Sequence, residues 1–193
     1  MGVSMNILNF LSEGRAEQAI LNYKPEVDDI AIPRNRMLHM YGVAELMYNA
    51  YESFDCKYLT REQVYILGLL HDIGYINGKE EHERVGAEMY NVDDMIRHCI
   101  EWHGVTPKEY MDIHMCYNED IPGELILLWW ADLSIESCGT NAGEPVGFKQ
   151  RLESIADRYG DDSEPYRICK ETIEWLCNNI ALKFLTTHDK ITN

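Results

Sequence analysis

The chain has 193 residues, 46% of them hydrophobic, which suits one compact domain that needs neither disulfides nor a structural metal to bury its core. With 33 acidic residues against 17 basic ones, the formal net charge is −16. That argues against a nucleic-acid reader, because such affinity comes mostly from Lys and Arg neutralising phosphates.

Taken in chain order, the text reads as helices joined by short turns, over about 5–22, 34–53, 61–72, 81–90, 92–103, 107–116, 122–138, 146–158 and 164–187. Alternating strand patterns are scarce, so the fold class expected is all-α. One domain over 1–193 is expected, with a core at about 34–138 and a helical extension at 146–188. Caps mark several starts: Thr60 with Gln63 and Thr106 with Glu109 form capping boxes, Pro107 stands at a first helical position, and Ser163 opens the last long helix. The run from Ile121 to Ile135 is the longest apolar candidate, but Pro122, Glu124 and Asp132 interrupt it, so no membrane span is expected. The N-terminus lacks a basic leader and a long apolar run, and the six scattered cysteines form no C-x-x-C motif. Both features suit a cytoplasmic chain with free, mostly buried thiols.

Helical phase singles out a set of polar residues. His39 shares a face with Val43, Leu46 and Ala50; Asp132 with Leu125, Leu128 and Ile135; His103 with Ile96, Cys99 and Ile100; His82 with Val85, Gly86 and Met89. His71 and Asp72 end an apolar helix, where a charge is costly to bury unless something compensates it. Taken singly, an inward His is usually a hydrogen-bonded core residue, and an inward Asp a cap or a partner of Arg. Four His and two Asp turned inward together call for one explanation, and a shared cation supplies it. His98, His114 and His188 are expected to face solvent.

These residues resemble the H…HD…D pattern of the HD superfamily, here Arg36-Met-Leu-His39, Leu69-Leu-His71-Asp72-Ile73-Gly74 and Ala131-Asp132-Leu133. His82 and His103 look like the extra histidines of two-metal members. Those include bacterial enzymes that split diadenosine tetraphosphate and the cyclic-dinucleotide phosphodiesterases. The resemblance implies an HD-type helical bundle with extra C-terminal helices. It also implies one or two divalent ions, Fe, Mn or similar. His39, His71, Asp72 and Asp132 would hold the first, and Asp72, which would also orient the nucleophilic water, would bridge to a second held by His82 and His103. The activity implied is metal-dependent hydrolysis of a phosphate ester or anhydride, with a nucleotide as the substrate class. Many members continue the HDIG sequence with Lys, where this chain has Tyr75; Lys79 follows four residues later. Arg36, Lys79 and Arg84 are the candidate phosphate contacts, and the loop Gly139–Gly147 is a candidate substrate cover. A di-iron oxygenase acting on a polyol or phosphonate, and a non-catalytic binding module, are the competing readings. The expected partner is a phosphorylated small molecule, with neither nucleic acid nor membrane, and the sequence is compatible with a homodimer.

Overall fold

The computed structural model describes residues 32–77, 81–89 and 92–180. Among the described residues there are eight α-helices and no strand. They are α1 (Arg34–Ala50), α2 (Arg61–Leu70), α3 (His82–Met89), α4 (Asp94–Trp102), α5 (Pro107–His114), α6 (Gly123–Leu133), α7 (Phe148–Tyr159) and α8 (Glu164–Asn179). The all-α class read from the sequence is therefore the class observed. The helix expected over 5–22 lies outside the described residues, as does the end of the one expected over 164–187.

The bundle is organised on α6. Leu125, Leu127, Leu128 and Ala131 are fully buried, and Trp129 and Trp130 nearly so. Each buried Leu contributes about 1.5–3 kcal/mol, so this helix is firmly held. Its first turn is anchored by Glu124, whose Oε1 accepts the amides of Tyr58 at 2.6 Å and Leu59 at 3.1 Å. α1 packs on α2 and α6, α3 on α4, and α8 on both α7 and α6. A Cβ on Gly68 would stand 2.5 Å from Ala44 Cα, so the absence of a side chain lets α1 and α2 approach closely. No helix among the described residues is long and apolar enough to cross a membrane.

The capping boxes at Thr60 and Thr106 are both formed, and Ser163 Oγ accepts the Tyr166 amide. Helix ends differ from the sequence reading where local chemistry intervenes. α2 stops at Leu70, leaving His71 and Asp72 in a turn before a 3-10 segment, Ile73–Asn77. α6 stops at Leu133 rather than running to 138. Ser134 Oγ donates to Trp130 O, and the chain then folds back, with Glu136 N bonded to Glu144 O and Val146 N to Ser134 O. α8 ends at Asn179, where Ile180 adopts extended backbone. All six cysteines are free; Cys99 is fully buried and Cys177 is exposed.

Candidate metal centre

Five elements deliver six side chains to one place. His39 comes from the middle of α1, His71 and Asp72 from the turn after α2, and His82 from the first position of α3. His103 caps the end of α4, and Asp132 stands one residue before the end of α6. His39 and His71 are fully buried, Asp72 and His103 nearly so. The close approach at Gly68 sets the His39 and His71 rings 5.4 Å apart. Gly74 does the same for the other side, since a Cβ there would run into the backbone carbonyl of His82.

Asp72 is the hub. Its Oδ2 lies 3.8 Å from His39 Nε2 and 3.4 Å from His71 Nε2. Its Oδ1 lies 3.3 Å from His82 Nε2 and 3.5 Å from His103 Nε2. Two groups that could hold a metal ion result, His39–His71–Asp72 and Asp72–His82–His103, each with its ligand atoms within 4.8 Å of one another. Asp132 adjoins the first group, with Oδ1 2.8 Å from His39 Nε2 and 3.9 Å from His71 Nε2.

The proton positions favour a cation. Nδ1 of His71 faces Gly68 O, and Nδ1 of His103 faces Ile100 O, both at 2.7 Å. A carbonyl oxygen only accepts, so each Nδ1 carries the proton. In a neutral ring Nε2 then turns a lone pair toward the Asp72 carboxylate, and two acceptors facing each other need a positive charge between them. His71 Nε2 is in fact buried without a hydrogen-bond partner. His82 is oriented in the same manner by a carboxylate, Glu83 Oε2, 3.2 Å from its Nδ1. Trp129 Nε1 donates to His103 O at 3.0 Å and fixes the backbone there.

Electrostatics point the same way. Burial opposes ionisation of Asp72, yet the Arg36 guanidinium and the His71 and His103 rings hold its carboxyl well below the usual range. Burial likewise opposes ionisation of Asp132, and His39 and Arg151 overcome it. Burial pushes His39 down to about 4, keeping it neutral. Burial would also lower His103, but its hydrogen bond to Asp72 and the charge of that carboxylate push it up to about 9. A proton on His103 thus supplies positive charge where a metal ion would.

A cavity of about 420 Å³ opens onto this centre, and Arg36, Asp72, His82, His103 and Asp132 line it. Arg36 donates to Asp72 Oδ2 and stacks over Tyr75, its guanidinium carbon 4.2 Å from the ring centroid. The residue in the usual lysine position thus serves as a platform for an arginine. Arg84 does not reach the cavity: it is exposed and paired with Glu81 and Glu88. Lys79 lies outside the described residues. The Gly139–Gly147 loop does not cover the cavity either; Gly143, at φ +89°, packs it against Leu38 of α1. The cover comes instead from α7 and α8, through Arg151, Ile155, Tyr159, Ile168, Cys169 and Thr172. These helices carry no motif in the sequence that points to chemistry. The available signal was Arg151 on the stripe of Phe148 and Ile155, an arginine on an apolar helical face.

Of the three histidines expected in solvent, His114 is exposed and His188 lies outside the described residues. His98 is half-buried, its Nε2 2.8 Å from Tyr110 Oη. It sits between α4 and α5 because Tyr110 and Trp102 close over it.

No curated protein and no solved structure matches the chain significantly. The family model described as HD domain matches residues 36–133. That stretch runs from Arg36 to the residue after Asp132 and takes in all six converging side chains. The chain belongs to the HD domain family, in general a superfamily of metal-dependent phosphohydrolases.

Proposed function

We propose that this protein hydrolyses a phosphate ester or anhydride at a two-ion centre, with a nucleotide as the substrate class. The observation that carries the reading is the division of Asp72: one carboxylate oxygen faces His39 and His71, the other His82 and His103. His39, His71, Asp72 and Asp132 would hold one ion; Asp72, His82 and His103 the other. Bound divalent ions of this kind supply Lewis acidity toward phosphoryl oxygens and acidify water at neutral pH. First-row ions such as Mn²⁺ and Fe²⁺ suit the imidazole and carboxylate donors.

The chain's own residues do the rest. Asp72 holds the two sets of donors together and accepts from Arg36, whose guanidinium also lines the cavity for a phosphoryl oxygen. Glu83, Gly68 O and Ile100 O keep protons on the Nδ1 atoms, so the Nε2 atoms stay available as ligands. The cavity, about 420 Å³, falls at the small end of ligand sites, which run to roughly 300–1,000 Å³. The nucleotide part of the reading rests on the likeness to two-metal HD hydrolases.

Elemental analysis of freshly purified protein, then a nucleotide-panel phosphatase screen with Mn²⁺ and Fe²⁺, tests this. Metal-dependent phosphate release is expected. Oxygen uptake with a polyol or phosphonate, and no phosphate release, would overturn it in favour of a di-iron oxygenase.

A further inference from the structure

Arg151 stands in the first turn of α7, beyond the residues that the HD domain model matches. It is only 5% exposed, and its three nitrogens meet different surroundings. Nη1 donates to Ser137 Oγ at 2.7 Å and lies 3.4 Å from Glu136 Oε1, which ties α7 to the fold-back after α6. Nη2 points toward Asp132 Oδ1 at 3.8 Å, beyond hydrogen-bond length. Nε is buried and has no partner. Nη1 therefore makes all of the side chain's hydrogen bonds, while Nη2 is held only by the longer ion pair with Asp132. Nε and Nη2 share the opposite edge of the guanidinium, which can take two oxygens of one phosphate side-on.

A second observation points the same way. Thr172, on α8, is 2% exposed and lines the same cavity, and its Oγ1 is buried without a hydrogen-bond partner. Buried polar groups are normally satisfied, so two left open beside one cavity call for something that enters it.

We infer that Arg151 is a substrate-binding residue, whose Nε–Nη2 edge takes the non-bridging oxygens of a phosphoryl group seated beside Asp132. This rests on the phosphohydrolase reading. Arg36, from α1, holds the Asp72 side, so the phosphoryl group lies between guanidiniums from α1 and α7. Asp132 and Glu136 repel an anion at this point, so binding requires the loaded centre.

Isothermal titration of inorganic phosphate into the Mn²⁺-loaded full chain tests the inference, with the variants R151Q and K149Q. Lys149 is an exposed cation on the same helix. Phosphate affinity is expected to fall at least about tenfold in R151Q, which removes both charge-assisted hydrogen bonds of the Nε–Nη2 edge. K149Q should match the wild type, and elemental analysis should find unchanged metal in both. Wild-type phosphate affinity in a metal-replete R151Q overturns the inference and leaves the phosphohydrolase reading standing. Wild-type protein that binds metal but no phosphate overturns both. Should R151Q fail to fold, a crystal of the loaded wild type soaked in phosphate decides: an oxyanion within hydrogen-bond distance of Arg151 Nε or Nη2 supports the inference, and one in the cavity touching neither overturns it.

Discussion

Replacing Asp72 with Asn keeps the side-chain shape and deletes the charge shared by both histidine pairs. In the metal-free protein the main casualty is Arg36, whose guanidinium donates to Asp72 Oδ2. Removing one partner of a buried ion pair costs about 3–5 kcal/mol. The Arg36 side chain is 17% exposed, so the lower end of that range applies, about 3 kcal/mol. For a chain of this size that is a fall in Tm of roughly 6–12 °C. Thermal unfolding of chelator-treated wild type, D72N, R36Q and the double variant reads it directly. The double variant should lose less than the sum of the two single losses, because no unpaired guanidinium remains. If the two single losses simply add, the pair contributes nothing and the reasoning fails. Metal content gives a second reading: D72N should retain none of the ions bound by the wild type, and full retention refutes a shared ligand.

Gly74→Ala drives a methyl group into the His82 backbone carbonyl and displaces α3 from Asp72. Elemental analysis of G74A should find about half the wild-type metal at a two-ion centre, since the His39–His71 side is untouched; undiminished metal would count against two separable groups. Glu124→Ala leaves the Tyr58 and Leu59 amides without their acceptor, at about 1–3 kcal/mol for each one buried, while metal content stays at the wild-type level. Denaturant titration measures the first and elemental analysis the second. The metal-free protein should lose stability as pH rises from 6.5 through about 9. His103 has its folded value raised, so its contribution is complete below 6.5 and fades as the proton leaves. His39 has its value lowered, and its contribution is present above 6.5 and lost as pH falls through about 4. Tm against pH, with and without Mn²⁺, checks both; a bound ion should abolish the alkaline loss, and an unchanged alkaline slope would contradict the proposed role of His103.

Much of the centre could be read from the text because its residues break helical rules. An aspartate on the apolar stripe of α6 and a histidine on that of α1 are conspicuous at a period of 3.6. The capping boxes at Thr60 and Thr106 were legible for a similar reason: they satisfy amides three residues away and need nothing distant. What escaped depends on long-range packing. Arg151 becomes buried only because Glu136 and Ser137 turn back toward α7, and that turn follows from Ser134 leaving the helix early. Tyr75 reads as a lost positive charge, and only the fold shows Arg36 lying across its ring. Arg84 reads as a phosphate contact, and the fold shows it paired at the surface with Glu81 and Glu88, one turn to either side.

The cavity is bounded by two stretches of chain with separate duties. Residues 36–133 carry every candidate ligand, whereas α7 and α8 complete the enclosure without providing any. Exchanging that last helical pair for another of different shape should therefore retune which molecules are admitted while leaving the bond-breaking apparatus intact, an economical route by which one ancestral catalyst could diversify.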